Sequence, residues 1–278
     1  MTKPEELFTY NDALGGVRCA KYHIVPGVGQ TFRRRAILDL MDTYIPSPDA
    51  ESRPRYLEIG CGTGVFAYEA YRRGCQATAH DLNQDALALV DDVFNTDKKR
   101  IEIKAKIDKN DSEFFDYIGL YEVLEHIEDD AAALRGWTNV LKPGGVLFLS
   151  VPAHEKYWNH VDDYAGHVRR YEKAQLIELC ADCGLEPLNI YCFGYPFTNI
   201  LQPLVNLLLH RRKFSAKKSL TKHERTLESG IDRKLDWRFS HFTPYSVLGF
   251  MSRLQRVFYS GDRGYGYCLA ARKMPKSL

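Results

Sequence analysis

The chain has 278 residues, 45% hydrophobic and 27% charged, with a net charge of +2; this suits one large α/β domain or two small ones and excludes a disordered or polyanion-coating chain. No run of 18 apolar residues occurs, so an ordinary transmembrane span is excluded, and the opening MTKPEELFTYND has no apolar stretch of signal-peptide type. The seven cysteines, an odd number scattered from Cys19 to Cys268, make no disulfide framework, and a reducing cytoplasm is the expected location.

Strands and helices alternate through the middle of the sequence. RYLEI (55–59) is a short apolar run that stops at a glycine cluster, and 66–73 reads as a helix. A strand at 77–81, a helix at 84–94, a strand at 101–107, a strand at 117–123, a helix at 129–141 and a strand at 145–151 follow. Strands separated by helices, with 145–151 almost wholly apolar, predict a mostly parallel sheet covered on both faces. Residues 154–171 read as a loop rich in aromatic and ionisable side chains. A helix at 172–183 closes at Gly184, and strands are expected at 188–193 and 266–272. Between those strands lie about seventy residues, far more than the usual connection. They divide into an apolar piece (197–209), a stretch at 210–241 with ten Lys/Arg against four Asp/Glu, and a helix opened by Thr243-Pro244, with Val247, Phe250, Met251, Leu254, Val257 and Phe258 at helical spacing.

The segment Glu58-Ile59-Gly60-Cys61-Gly62-Thr63-Gly64 lies between a predicted strand and a predicted helix. Glycines there let the backbone reach positive φ and approach a ligand closely, and the helix beyond presents unpaired N–H groups. Asp81 ends the next strand, where a carboxylate can accept both hydroxyls of a ribose, as suits an adenosine-containing ligand. A dinucleotide fingerprint would need glycine at 65, which is Val65, so the pattern points to a ligand without a pyrophosphate.

Taken together, LEIGCGTGVF (57–66), HDL (80–82), LYEVLEHIEDD (120–130) and LKPGGVLFLSVP (141–152) resemble the class I S-adenosylmethionine-dependent methyltransferases over residues 55–193 and again at the last strand. The resemblance implies S-adenosylmethionine as cofactor. It implies that Glu58, Gly60, Cys61 and Gly62 line its methionine part, that Asp81 binds the ribose and that Leu82 packs on the adenine. Asp108 would contact the adenine amino group, and Tyr121 and Glu122 would stand beside the sulfonium. It also implies a doubly wound, Rossmann-like α/β fold with seven strands, the last antiparallel. The expected divisions are an N-terminal helical cap (1–54), the cofactor-binding core (55–194), a helical lid (195–264) and the last strand with a tail (265–278).

Methyl transfer needs a base only where the acceptor carries a proton that must leave, whereas a carboxylate acceptor needs cationic or hydrogen-bonding groups to hold it. Residues 154–171 offer both, and W-x-x-x-D-D-x-x-G-H-x-R-R-Y (158–171) resembles a subgroup of these methyltransferases. His167 and His154 are the candidate bases, with Tyr157, Trp158, Arg169 and Arg170 the candidate acceptor contacts. His126 reads as a structural or cofactor-side residue. No metal site is expected: Cys180-x-x-Cys183 lacks a second pair of ligands. The function expected is O-methylation of a small molecule or peptide at a carboxylate or hydroxyl. The alternatives are N-methylation, with Asp162, Asp163 or Glu122 binding the amine; a nucleic-acid methyltransferase carried by the basic stretch; and a non-catalytic S-adenosylmethionine-binding scaffold. Nucleic acid is not expected as a partner. The piece 197–209 suits lid core first, then a homodimer contact, then peripheral membrane contact.

Overall fold

The computed structural model describes residues 8–11, 16–19, 28–46, 53–96, 98–107, 111–200 and 245–275. A short antiparallel hairpin, β1 (Phe8–Asn11) and β2 (Gly16–Cys19), precedes helix α1 (Val28–Tyr44). The alternating core follows: β3 (Arg55–Ile59), α2 (Val65–Arg72), β4 (Gln76–His80), α3 (Gln84–Phe94), β5 (Ile101–Lys104), β6 (Phe115–Tyr121), α4 (Asp130–Val140) and β7 (Leu141–Pro152). Then come α5 (His160–Ala165), α6 (Lys173–Asp182), β8 (Leu185–Phe193), α7 (Tyr245–Leu254) and β9 (Gly266–Lys273).

Seven of the strands form one sheet in the order β5-β4-β3-β6-β7-β9-β8, with β9 antiparallel to both of its neighbours. This is the doubly wound arrangement expected from the sequence. Chain order reverses between β3 and β6, and ligands of such sheets bind at the carboxyl ends of the strands on either side of that reversal. The central strands are apolar on both faces because both are covered. Leu57, Ile118, Leu147, Leu149 and Leu269 pack with Leu134 of α4 and Leu176 of α6. Tyr56, Phe148 and Ala270 pack with Phe32, Ile37 and Met41 of α1.

Helix ends follow local chemistry. Asn83 caps α3 by accepting from Asp85 N (2.9 Å), and Asp129 caps α4 by accepting from Ala132 N (2.9 Å). Helix α1 belongs to the layer that covers the sheet. It is tied to the end of the α7 region by Arg256 and Tyr259, both bonded to Asp39, and by Gln255, which donates to Phe32 O at 2.8 Å. The N-terminal stretch, expected to be helical, therefore also contains a hairpin. The basic stretch and most of the expected lid, with the apolar piece from 201 onward, lie outside the described residues. Among the described residues no helix is long and apolar enough to cross a membrane.

Candidate active site

The turn after β3 places three glycines at positive φ, Gly60 at 67°, Gly62 at 50° and Gly64 at 68°. At Gly60 the requirement is steric as well, since a Cβ there would lie 2.6 Å from Val123 Cγ2. Val123 follows β6, so this contact brings the two sides of the sheet's reversal point together. Asp81, just past β4, accepts from Gly62 N at 2.9 Å through one oxygen and from Asn83 N at 2.9 Å through the other. Beside it Leu82 is 71% exposed, an apolar side chain at the mouth of the site. A glycine turn at a helix start, an acid at the next strand's end and an exposed apolar side chain match the three parts of an amino-acid–ribose–adenine ligand. These residues fit S-adenosylmethionine.

Glu58 is buried beneath that turn and accepts from Ala67 N at 2.7 Å. Burial pushes its carboxyl up to about 8, against the opposing pull of the Ala67 hydrogen bond. Cys61 contributes its backbone, donating to His80 O at 3.0 Å, while burial raises its thiol well above the ordinary range. Tyr121 gives its side chain to the core: its hydroxyl is 2.9 Å from that of Tyr56, and its ring packs on Phe66 with centroids 4.2 Å apart. The expected place for Tyr121 beside the sulfonium is therefore corrected, because its phenol points into the interior. Glu122, the next residue, accepts from Ser150 Oγ at 3.0 Å and pairs with Arg33 of α1 at 3.0 Å. Asp108 lies outside the described residues.

Residues 154–171, expected to be a loop, contain α5, which opens with a reciprocal Asn159/Asp162 capping box and ends at Gly166 with φ 82°. Asp162 organises the segment. It is paired with Arg170 through both oxygens, at 3.0 and 2.9 Å, and its Oδ1 lies 2.8 Å from His167 Nδ1. Burial raises the Asp162 carboxyl, but the hydrogen bonds from His167 and Arg170 outweigh it and hold the group below its usual value. An ionised Asp162 only accepts, so His167 carries its proton on Nδ1 and turns the Nε2 lone pair toward Glu125. Nε2 lies 3.8 Å from Glu125 Oε1.

The network engages several of the candidate residues. Arg170 is 5% exposed and bonds Asp162, Ala153 O (3.0 Å) and Tyr265 Oη (2.8 Å), so it braces the segment instead of holding a substrate carboxylate. Arg169 pairs with Asp130 at 2.8 Å and donates to Glu128 O at 2.6 Å. His154 is buried, with Nδ1 2.8 Å from Glu172 and Nε2 3.4 Å from Tyr267 Oη and 3.5 Å from Asp262. Both of its nitrogens thus face partners within the chain. Tyr157 accepts from Asn199 Nδ2 at 3.1 Å and stacks on Tyr265, and Trp158 donates to Asp163 at 3.1 Å.

The residue that sequence reasoning passed over is Glu125, in a single 3-10 turn at Leu124–His126 just beyond β6. It is fully buried, and burial, reinforced by the nearby charge of Glu122, raises its carboxyl well above the usual range. The Glu-His pair of LEHI, placed directly after a strand's carboxyl end, was the available signal.

A ligand cradle at the switch point and a His–Asp pair on the segment fastened to the turn beyond β6 define an enzyme of the nucleoside-binding α/β class. The chain belongs to the methyltransferase-domain family, whose profile matches residues 30–190. A curated relative is the ubiquinone biosynthesis O-methyltransferase of Stutzerimonas stutzeri, 31% identical over 101 residues that cover 34% of this chain and 43% of that protein. The corresponding protein of Xanthomonas oryzae is 33% identical over 101 residues, 34% of this chain and 42% of that one. The matched part is thus under half the length of these relatives. Among solved structures, phosphoethanolamine N-methyltransferase 2 of Haemonchus contortus, in complex with S-adenosyl-L-methionine, has a TM-score of 0.52 at 20% identity, covering 89% of this chain and 54% of that one. The [4+2]-cyclase SpnF has a TM-score of 0.54 at 17% identity, covering 88% and 82%. These two structures share the fold.

Proposed function

We propose that this chain uses S-adenosylmethionine to methylate a hydroxyl oxygen of a small-molecule acceptor. When bound, the cofactor supplies an electrophilic methyl group on a sulfonium. The chain's own part is to hold that group and the acceptor in line and to exclude water. Gly60 and Gly62 seat the amino-acid end, and Asp81 and Leu82 take the ribose and adenine. At the other end, His167 Nε2 accepts the proton that the hydroxyl must lose, while Asp162 stabilises the resulting imidazolium.

The observation that carries this reading is the His167–Asp162 pair, at 2.8 Å. The state of the other charged groups supports a hydroxyl over its rivals. A carboxylate acceptor would require unengaged cations, but Arg169 and Arg170 are tied to Asp130 and Asp162. An amine would require an anionic holder, yet Glu122 is neutralised by Arg33 and Asp162 by Arg170. The O-methyltransferase names of the curated relatives agree with this choice.

The test is transfer of label from methyl-labelled S-adenosylmethionine to a panel of phenols, carboxylates and amines, followed by mild base. Label retained on a phenol is the expected result. Label released as methanol, or found only on amines, would overturn the hydroxyl reading.

A further inference from the structure

Glu125 has 0% exposure, and neither of its carboxylate oxygens has a hydrogen-bond partner. Burying a carboxyl without a partner is costly, and such a group calls for an explanation by what it binds. Two imidazole nitrogens face it: His167 Nε2 at 3.8 Å and His126 Nε2 at 4.0 Å from Oε1. One donor atom from each of the three residues lies within 4.8 Å of the others.

From this geometry we propose that Glu125, His126 and His167 bind a divalent transition-metal ion at the methyl end of the cofactor cradle. Metal bonds of roughly 2.1 Å in a tetrahedral site set ligand atoms about 3.4 Å apart, so a modest inward movement of the side chains closes the set. Two imidazoles and one carboxylate suit zinc, manganese or iron better than calcium or magnesium, which take oxygen ligands.

The surroundings are those of a ligating histidine. Its second nitrogen is held by a carboxylate, here Asp162 at 2.8 Å, and that carboxylate is fixed in turn by Arg170. The rings of His126 and His167 meet edge to face with centroids 4.9 Å apart. Val168 N donates to Glu125 O at 2.8 Å, which fastens the segment bearing His167 to the turn bearing the other two ligands.

Three protein ligands leave further coordination positions open. This part rests on the hydroxyl reading above. An acceptor hydroxyl at an open position loses its proton to water at lower pH. Its oxygen lone pair then forms the O–C bond as the S–C bond breaks and that electron pair stays on sulfur. With the ion bound, the His167 lone pair serves as a ligand, and the ion in place of the base makes the hydroxyl more acidic.

The experiment is zinc titration of the full chain, stripped with a chelator, against a chromophoric competitor. Each variant's S-adenosylmethionine affinity and thermal unfolding are measured in parallel. One zinc per chain is expected, weakened at least ten-fold in Glu125→Gln, His126→Gln and His167→Gln and unchanged in Cys192→Ser, which alters a second cluster of His154, Cys192 and Asp262. Folded protein that binds the cofactor but no zinc would overturn the metal site, as would zinc lost in Cys192→Ser and kept in the other three variants. Since His126→Gln and Glu125→Gln are read separately, failure of one to fold leaves the other decisive. Zinc binding without any phenol methylation would overturn the hydroxyl reading while leaving the site in place.

Discussion

His167 Nδ1 stands 2.8 Å from Asp162 Oδ1, and the same carboxylate is paired with Arg170 through both oxygens. One buried acid thus fixes both the tautomer of the proposed base and the position of the segment carrying it. The two duties separate by mutation. His167→Gln is expected to lower kcat by about 10²–10⁴-fold with cofactor affinity unchanged. Asp162→Asn leaves the buried Arg170 short of its counter-charge and is expected to cost about 3–5 kcal/mol in stability. Steady-state kinetics beside urea unfolding distinguish the two.

Arg170 and Arg169 should behave unlike substrate holders. Arg169→Met is expected to leave KM for the acceptor within about three-fold, since a partly exposed ion pair contributes about 1 kcal/mol or less. Arg170→Met strands Asp162, and urea unfolding should show a loss of about 3 kcal/mol or more. A KM that rises a hundred-fold in Arg169→Met would return that residue to the acceptor site.

Gly60 has φ 67° and a Val123 methyl 2.6 Å from where a Cβ would lie. Gly60→Ala therefore meets both backbone strain and a clash, together on the order of 2 kcal/mol. Adding Val123→Ala relieves the clash alone. Urea unfolding of the single and double variants should show partial recovery in the double.

Asp81 holds the turn through Gly62 N at 2.9 Å, and in the proposed function its carboxylate takes the ribose. Asp81→Ala is expected to weaken S-adenosylmethionine binding by about 10–100-fold, or about 1.4–2.8 kcal/mol, measured by calorimetry. Asp81→Asn should lose less, because the amide oxygen still accepts from the turn.

Glu58 gives a pH dependence with a defined sign. Its folded carboxyl is pushed up to about 8, while in the unfolded chain it titrates near the ordinary value of 4.5. Between these limits the folded state holds the extra proton, so stability contributed by this group falls as pH rises from 4.5 to 8. The full effect is on the order of a few kcal/mol. Glu58→Gln removes the charge without removing the shape, and the variant's melting temperature should gain on the parent's between pH 5 and pH 8. A constant difference across that range would contradict the burial of an acid at this point.

Much of the fold is legible in the sequence because it rests on local patterns. The apolar runs RYLEI and LFLSV place β3 and the body of β7, and α3 begins and ends at 84 and 94 as read. Helix α5 was missed because six residues are too few for a 3.6-residue period to show, although the Asn159-x-x-Asp162 capping box was readable. The hairpin β1–β2 was missed because four-residue strands carry too little alternation. At the site, glycines and Asp81 are visible because backbone chemistry fixes their spacing. The roles of Arg170, His154 and Glu125 are not, since they depend on which partners 40 or 100 residues away arrive beside them.

The most direct measurement is a crystal structure of the chain with S-adenosylhomocysteine. The account predicts its amino-acid end on Gly60 and Gly62, its ribose on Asp81, its adenine against Leu82, and its sulfur facing the Glu125–His167 end. A ligand bound elsewhere, or bound with its sulfur turned away from His167, would contradict the account.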